Sequence, residues 1–295
     1  MEKRSFSSRF KNEYIGKGYA SFCGILIIVL TLSIIFFIAS SGLRTFTKNG
    51  YSITRFLFSQ QWNPDEGQFG AMVYILGSTA VSVGAVIIST PLAIALAVFM
   101  NVISPKFGTR LLQPAMELFV GIPSVVYGWI GITVLVPFIK AAFGGNGFSL
   151  LAGILVLSVM ILPTITSISS DAIKVIPRDY VEASYGLGAT RWQTIKRVVV
   201  PAAKSGISTG VVLGLARAFG EALAVQMVIG NATHVPDSLT KPMSTLTSAI
   251  TMDMGETVTG TLYNNAIWSM GLILLVVSFV FILIIRILGK KGDLR

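Results

Sequence analysis

Six stretches of the chain are apolar and long. They run over 22–43, 71–99, 115–139, 149–170, 205–230 and 266–288, with polar segments between them. Each holds about 20 or more residues, the length a helix needs to cross the hydrocarbon of a bilayer. In lipid every backbone polar group must be satisfied internally, which leaves helices or closed barrels as spanning structures. The pattern predicts an all-α integral membrane protein with six transmembrane helices. The first run exceeds the roughly 7–15 apolar residues of a signal-peptide core, so it is expected to remain as a span. The chain divides into a tail (1–21), a first helix (22–43), a loop (44–70), a helical body (71–288) and a second tail (289–295). The body carries a loop at 171–204 on one side and a loop at 231–265 on the other.

Composition agrees. Of 295 residues, 53% are hydrophobic and 12% charged, about half the charged share of a soluble domain. The net charge of +10 raises the possibility of a nucleic-acid partner, but its distribution gives another reason. Seventeen of the 23 Lys and Arg fall in the first tail, the loop after the second span, the loop at 171–204 and the C-terminal end from Arg286 onward. Five fall on the opposite side, and Arg217 lies within a span. The positive-inside rule then places both termini in the cytoplasm. A single Cys, Cys23, excludes an intramolecular disulfide, and a single His, His234, leaves little for zinc sites or His-based triads.

The cytoplasmic loop reads "DAIKVIPRDYVEASYGLGATRWQTIKRVVVPAAKSG". Pro177 suits a helix start, and Asp179 and Glu182 sit near the positive end of its dipole. Gly186 and Gly188 interrupt it, and "ATRWQTIKRVVV" restarts a helix that ends near Pro201. Glu182, Ala183, Ser184, Gly188 and Pro201 together resemble the EAA loop of ABC importer permeases. The family pattern is E-A-A, three residues, G, nine residues, I-x-L-P; here Ser184 replaces the second Ala, and Val198 and Val200 replace Ile and Leu. The resemblance implies a type I ABC importer permease fold, with the short helix docking into a cleft on an ATPase subunit. A bare amphipathic loop on the membrane surface is the plainer alternative. No "GxxxxGK[ST]" phosphate-cradling loop occurs in the chain, so ATP and Mg are expected at a partner ATPase and no cofactor on this chain.

"ELFVGIPSVVYGWIG" (117–131), "RAFGEALAVQMVIGN" (217–231) and "LTSAITMDMGE" in the outer loop resemble the C-type permease of phosphate-specific (Pst) transport systems. With the EAA loop, the likeness spans roughly 70–290. It implies a bacterial inner-membrane heterodimer with an A-type permease, two ATPase subunits and an extracytoplasmic phosphate-binding protein, importing inorganic phosphate.

The residues themselves pose one physical problem. A charge at mid-bilayer costs roughly 2.5 kcal/mol or more, yet Arg217 and Glu221 lie within the fifth run. At i and i+4 on one helix they would share a face, Arg217 offering a fork that matches an oxyanion and Glu221 holding it when the pathway is empty. A purely structural ion pair is the competing reading. Pro123 frees a carbonyl in the third span, and Ser124 beside it could line a pathway; Gly121, Gly128 and Gly131 equally suit close packing. Ser78, Ser82 and Ser89 fall roughly on one face of the second span, more often a packing seam than a substrate contact. Glu117 reads as an interfacial residue near Arg110, and His234 as a solvated loop residue. In the outer loop, "STLTSAITMDM" is expected to form a short helix lying on the membrane, part of a docking surface for the binding protein.

Alternatives are a permease for another oxyanion, an intramembrane enzyme and a sensor. The enzyme would need a nucleophile and base inside the bilayer, which Cys23 and His234 do not supply.

Overall fold

The computed structural model describes residues 16–290. The basic residues expected at 1–15 and 291–295 lie outside them. Helices dominate, as the apolar runs require: α1 (Gly16–Thr47), α2 (Ile53–Phe58), α3 (Met72–Ile103), α4 (Gln113–Gly121), α5 (Ser124–Phe143), α6 (Leu150–Lys174), α7 (Arg178–Gly186), α8 (Arg191–Ala202), α9 (Lys204–Gly220), α10 (Leu223–Ile229), α11 (Leu246–Asp253) and α12 (Leu262–Lys290). A two-residue hairpin, β1 (Trp62–Asn63) against β2 (Gln68–Phe69), pairs Trp62 with Phe69.

Among the described residues five helices are long and apolar enough to cross a membrane: α1, α3, α5, α6 and α12. The pair α8 and α9, bent by 67° at Ala203, gives up to six. The first span is longer than the 22–43 expected. Two others are broken where the sequence pattern predicted continuity. The third run, 115–139, splits at Ile122 and Pro123, both extended (ψ 128° and 139°). Ile122 precedes a proline, which disfavours the helical region for it, although Thr90 and Leu162, also followed by prolines, stay helical within α3 and α6. The fifth run, 205–230, splits after Gly220, with Glu221 extended at ψ 124°.

α6 lies at the centre and is the most deeply buried of these spans. It packs against α3 and α9 through glycines: a Cβ at Gly84 would come 2.9 Å from Ile154 Cδ1, and one at Gly214 2.6 Å from Ile165 Cγ1. Leu157, Ile161, Ile165, Leu215 and Phe219 fill this core. Among the described residues α1 is pinned at its C-terminal end. There Ser269 Oγ donates to Gly42 O at 2.6 Å and shares a 2.7 Å hydrogen bond with Thr45 Oγ1, while residues 24–37 are exposed.

The loop at 231–265 does not lie flat on the surface, which corrects the expectation for "STLTSAITMDM". Its chain folds back so that Lys241 O and Leu239 O accept from Leu150 N and Leu151 N, first-turn amides of α6 that have no partner in their own helix. Residues 243–249 are buried, and a Cβ on Gly77 of α3 would strike the Ser244 carbonyl. The helix is there, capped by a Thr245 box, but its first turn is inserted between α3, α10 and α12.

Candidate functional site: two broken helices and a buried loop

Arg217 sits in the last turn of α9, half-buried. Its Nη1 donates to Thr164 Oγ1 of α6 at 3.1 Å, and its guanidinium is in electrostatic range of the Tyr127 hydroxyl on α5. Among the described residues the ion pairs are Lys174–Asp171 and Lys241–Asp237, so no carboxylate neutralises Arg217.

Glu221 does something else. Because the helix ends at Gly220, the i,i+4 geometry that would stack the two side chains is lost, and the expected shared face is corrected. Glu221 Oε1 instead accepts from Ala224 N at 3.1 Å, satisfying an orphan amide in the first turn of α10 and placing its charge at the positive helix end. Its carbonyl, freed by the break, accepts from Thr247 Oγ1 at 2.9 Å. Ser78 Oγ accepts from Leu246 N at 2.9 Å. Ser78, Ser82, Glu221, Thr245 and Thr247 thus surround a void of ≈10 Å³, about enough for one water molecule. The tertiary fold brings Ser82 and Glu221 together and leaves Ser124 apart, half-buried at the start of α5. Ser89 is fully buried and donates to Ser158 O at 2.7 Å, a packing role.

The second halves of the broken spans meet. A Cβ at Gly128 would fall 2.6 Å from Met227 Sδ and 3.0 Å from Ala224 Cα, and one at Gly131 2.6 Å from Val228 Cγ1. Glycine at these positions lets α5 and α10 lie in contact. Sequence reasoning missed Thr164, Tyr127 and Thr247. Thr164 follows Pro163, the one weak signal; Thr247 carries none.

At the other end, α7 bears Glu182, Ala183 and Ser184, and Gly188 turns the chain at φ +78°. Gly188 N donates to Tyr185 O and Ala189 N to Ser184 O, closing the helix with a left-handed residue. Ser184 Oγ meets Thr194 Oγ1 at 2.9 Å, fixing α7 against α8, and Pro201 lies exposed near the end of α8. Arg191 Nη2 donates to Ile103 O at 2.9 Å, anchoring α8 to the end of α3. Leu187 is 90% exposed, and Tyr180 and Tyr185 are exposed beside it. Glu117 is exposed and accepts from Gln113 Nε2 at 3.3 Å rather than pairing with Arg110.

Discontinuous spans, an intramembrane cation and a projecting helix pair define a multi-pass membrane permease. The chain belongs to the family of binding-protein-dependent transport system inner membrane components, which matches residues 89–292. It is an ABC importer permease subunit of type I fold, a transmembrane component and not a catalytic enzyme. A probable ABC transporter permease protein, YqgH, of Bacillus subtilis is 53% identical over 297 residues, covering 99% of this chain and 96% of that one. Phosphate transport system permease proteins PstC from Mesorhizobium japonicum (36%; 92% and 88% covered) and Pasteurella multocida (33%; 93% and 91%) are also similar. Among solved structures, a bacterial alginate ABC transporter in complex with its pentasaccharide-bound periplasmic protein aligns at TM-score 0.63 and 18% identity, covering 96% of this chain and 98% of that one. The MetNI methionine ABC transporter aligns at 0.52 and 20%, covering 75% and 92%.

Proposed function

We propose that this chain is the C-type permease subunit of an ATP-driven importer of inorganic phosphate. The observation that carries the reading is Arg217: an unneutralised guanidinium within a span, held by a hydroxyl rather than a carboxylate. A fork of two parallel donors suits a tetrahedral oxyanion, and a neutral holder leaves the charge available to it. Intramembrane cations usually mark a pathway. The PstC relatives support phosphate as the anion.

In this reading the pathway is shared with an A-type permease, and an extracytoplasmic phosphate-binding protein delivers the substrate. Two ATPase subunits, with their ATP and Mg, dock on the α7–α8 loop, where Leu187, Tyr180 and Tyr185 offer apolar surface beside Glu182, Ala183 and Ser184. Both termini are cytoplasmic, as the lysine and arginine distribution argues. Glu221 acts on the gate rather than as a ligand: it joins the break in the fifth span to the outer loop through Thr247. A mid-membrane site must attract yet release its ion, and the small void around Glu221 keeps the route narrow on its outer side.

The test is uptake into proteoliposomes containing the purified complex, loaded with ATP and given binding protein outside. Phosphate should accumulate and sulfate should not, and Arg217→Gln should abolish accumulation with the complex still assembled. Equal transport of sulfate, or wild-type uptake by Arg217→Gln, would overturn the reading.

A further inference from the structure

At the end of the bundle nearest the α7–α8 loop, α9 and α12 enclose an open groove of ≈380 Å³. Ser205, Ser208 and Thr209 of α9 and Arg286 of α12 line it, with Val212 and Ile282 forming its apolar wall. The spacing of 205, 208, 209 and 212 puts these side chains on one face of α9. None of them takes part in the site around Arg217 and Glu221.

The groove has a polarity gradient. α9 begins at Lys204, beside the loop, and rises about 1.5 Å per residue, so Val212 lies about 10 Å deeper than Ser205. α12 ends at Lys290 on the same side, so Ile282 lies one turn deeper than Arg286. Hydroxyls and a guanidinium therefore sit at the surface end, and aliphatic side chains at the deep end. Among the described residues Arg286 enters neither ion pair. Thr209 donates to Ser205 O at 3.0 Å, which keeps its oxygen on the helix with lone pairs to spare.

We propose that this groove binds an anionic phospholipid of the adjacent leaflet, with the phosphodiester on Arg286 and the α9 hydroxyls and an acyl chain along Val212 and Ile282. A guanidinium donates to two phosphate oxygens at once, and serine hydroxyls add single donors. Basic pockets between transmembrane helices at the membrane surface recognise lipid head groups in this way. A zwitterionic lipid brings its own cation into a site that already has one, so an anionic head group is favoured. Free phosphate would match the polar end but leave the apolar wall uncovered, which selects the lipid.

The experiment uses the intact complex in nanodiscs of phosphatidylethanolamine doped with a photoactivatable phosphatidylglycerol, followed by peptide mass spectrometry. Adducts are expected on the α9 and α12 peptides of the wild type. Arg286→Gln should lower them about fivefold, since one cation near the surface is worth about that factor, and Arg286→Lys should retain most of them. If Arg286→Gln fails to assemble, competition on the wild type decides: unlabelled phosphatidylglycerol should displace the probe and phosphatidylcholine should not. Equal labelling in wild type and Arg286→Gln, equal displacement by both lipids, or no adduct in the assembled complex would overturn the proposal. Loss of the adducts on adding millimolar inorganic phosphate would assign the groove to the free anion and overturn it too.

Discussion

Arg217 Nη1 lies 3.1 Å from Thr164 Oγ1, 53 residues away in the chain, while Glu221, four residues away, points into the next helix. The cation and the carboxylate thus have different hydrogen-bond partners and form no ion pair with each other. Their double-mutant cycle, Arg217→Gln with Glu221→Gln, should show a coupling in complex stability within about 0.5 kcal/mol. A structural ion pair would instead give rescue by the double change. Thr164→Val should lower phosphate uptake about two- to tenfold, the range of one lost hydrogen bond, and Arg217→Lys should fall between wild type and Arg217→Gln. Uptake per assembled complex and thermal unfolding read these effects.

Thr247 ties the buried loop to the break. Thr247→Val removes the donor to Glu221 O and leaves a freed carbonyl without its partner. We expect ATPase activity less dependent on the binding protein, with the complex still formed. ATP hydrolysis measured with and without binding protein checks this; an unchanged ratio would separate the loop from the gate.

Gly188 is required for its backbone and not for space. Its φ is +78°, and a Cβ there would meet nothing within 4 Å. Gly188→Val should distort the turn at a cost of roughly 1–2 kcal/mol and uncouple transport from ATP hydrolysis, whereas Gly188→Asn, which tolerates the left-handed region, should retain most transport. Normal uptake by the valine variant would rule out the coupling role of the turn.

Asp253, at the end of α11, should make the outer loop pH-sensitive. Burial pushes its carboxyl above the usual carboxylate range and Glu256 adds to this, while donors on Tyr263 and Trp62 oppose it. A carboxyl raised in the folded state contributes stability that is fully present below its unfolded pKa, near 4, and lost as pH rises through the folded value. Wild type should therefore lose thermal stability relative to Asp253→Asn as pH climbs from about 4 toward neutrality. A pH-independent difference would contradict the raised carboxyl.

Orientation can be read with an impermeant thiol reagent on intact cells in a Cys23→Ser background. Cysteines at Asn49 and Ser238 should label from outside, and a cysteine at Ala189 should not. The reverse pattern would invert the topology.

The apolar runs by themselves determined that the chain is helical and crosses a membrane, because length and hydropathy act locally and lipid permits few alternatives. The α7–α8 loop was equally legible: the turn at Gly188 and the helix ending near Pro201 are written in residues that restrict their own backbone. Arg217 could be singled out because a charge in an apolar run is anomalous wherever the run folds. What only the tertiary structure decided was its partner. Periodicity assumes an unbroken helix, and the i,i+4 pairing with Glu221 failed when Gly220 ended one helix and Glu221 capped another. The buried turn at 243–249 was hidden for a related reason. Its serines and threonines look like a solvated loop until they bond one another and two groups distant in sequence, Ser78 Oγ accepting from Leu246 N and Glu221 O accepting from Thr247 Oγ1, tie the turn into the bundle.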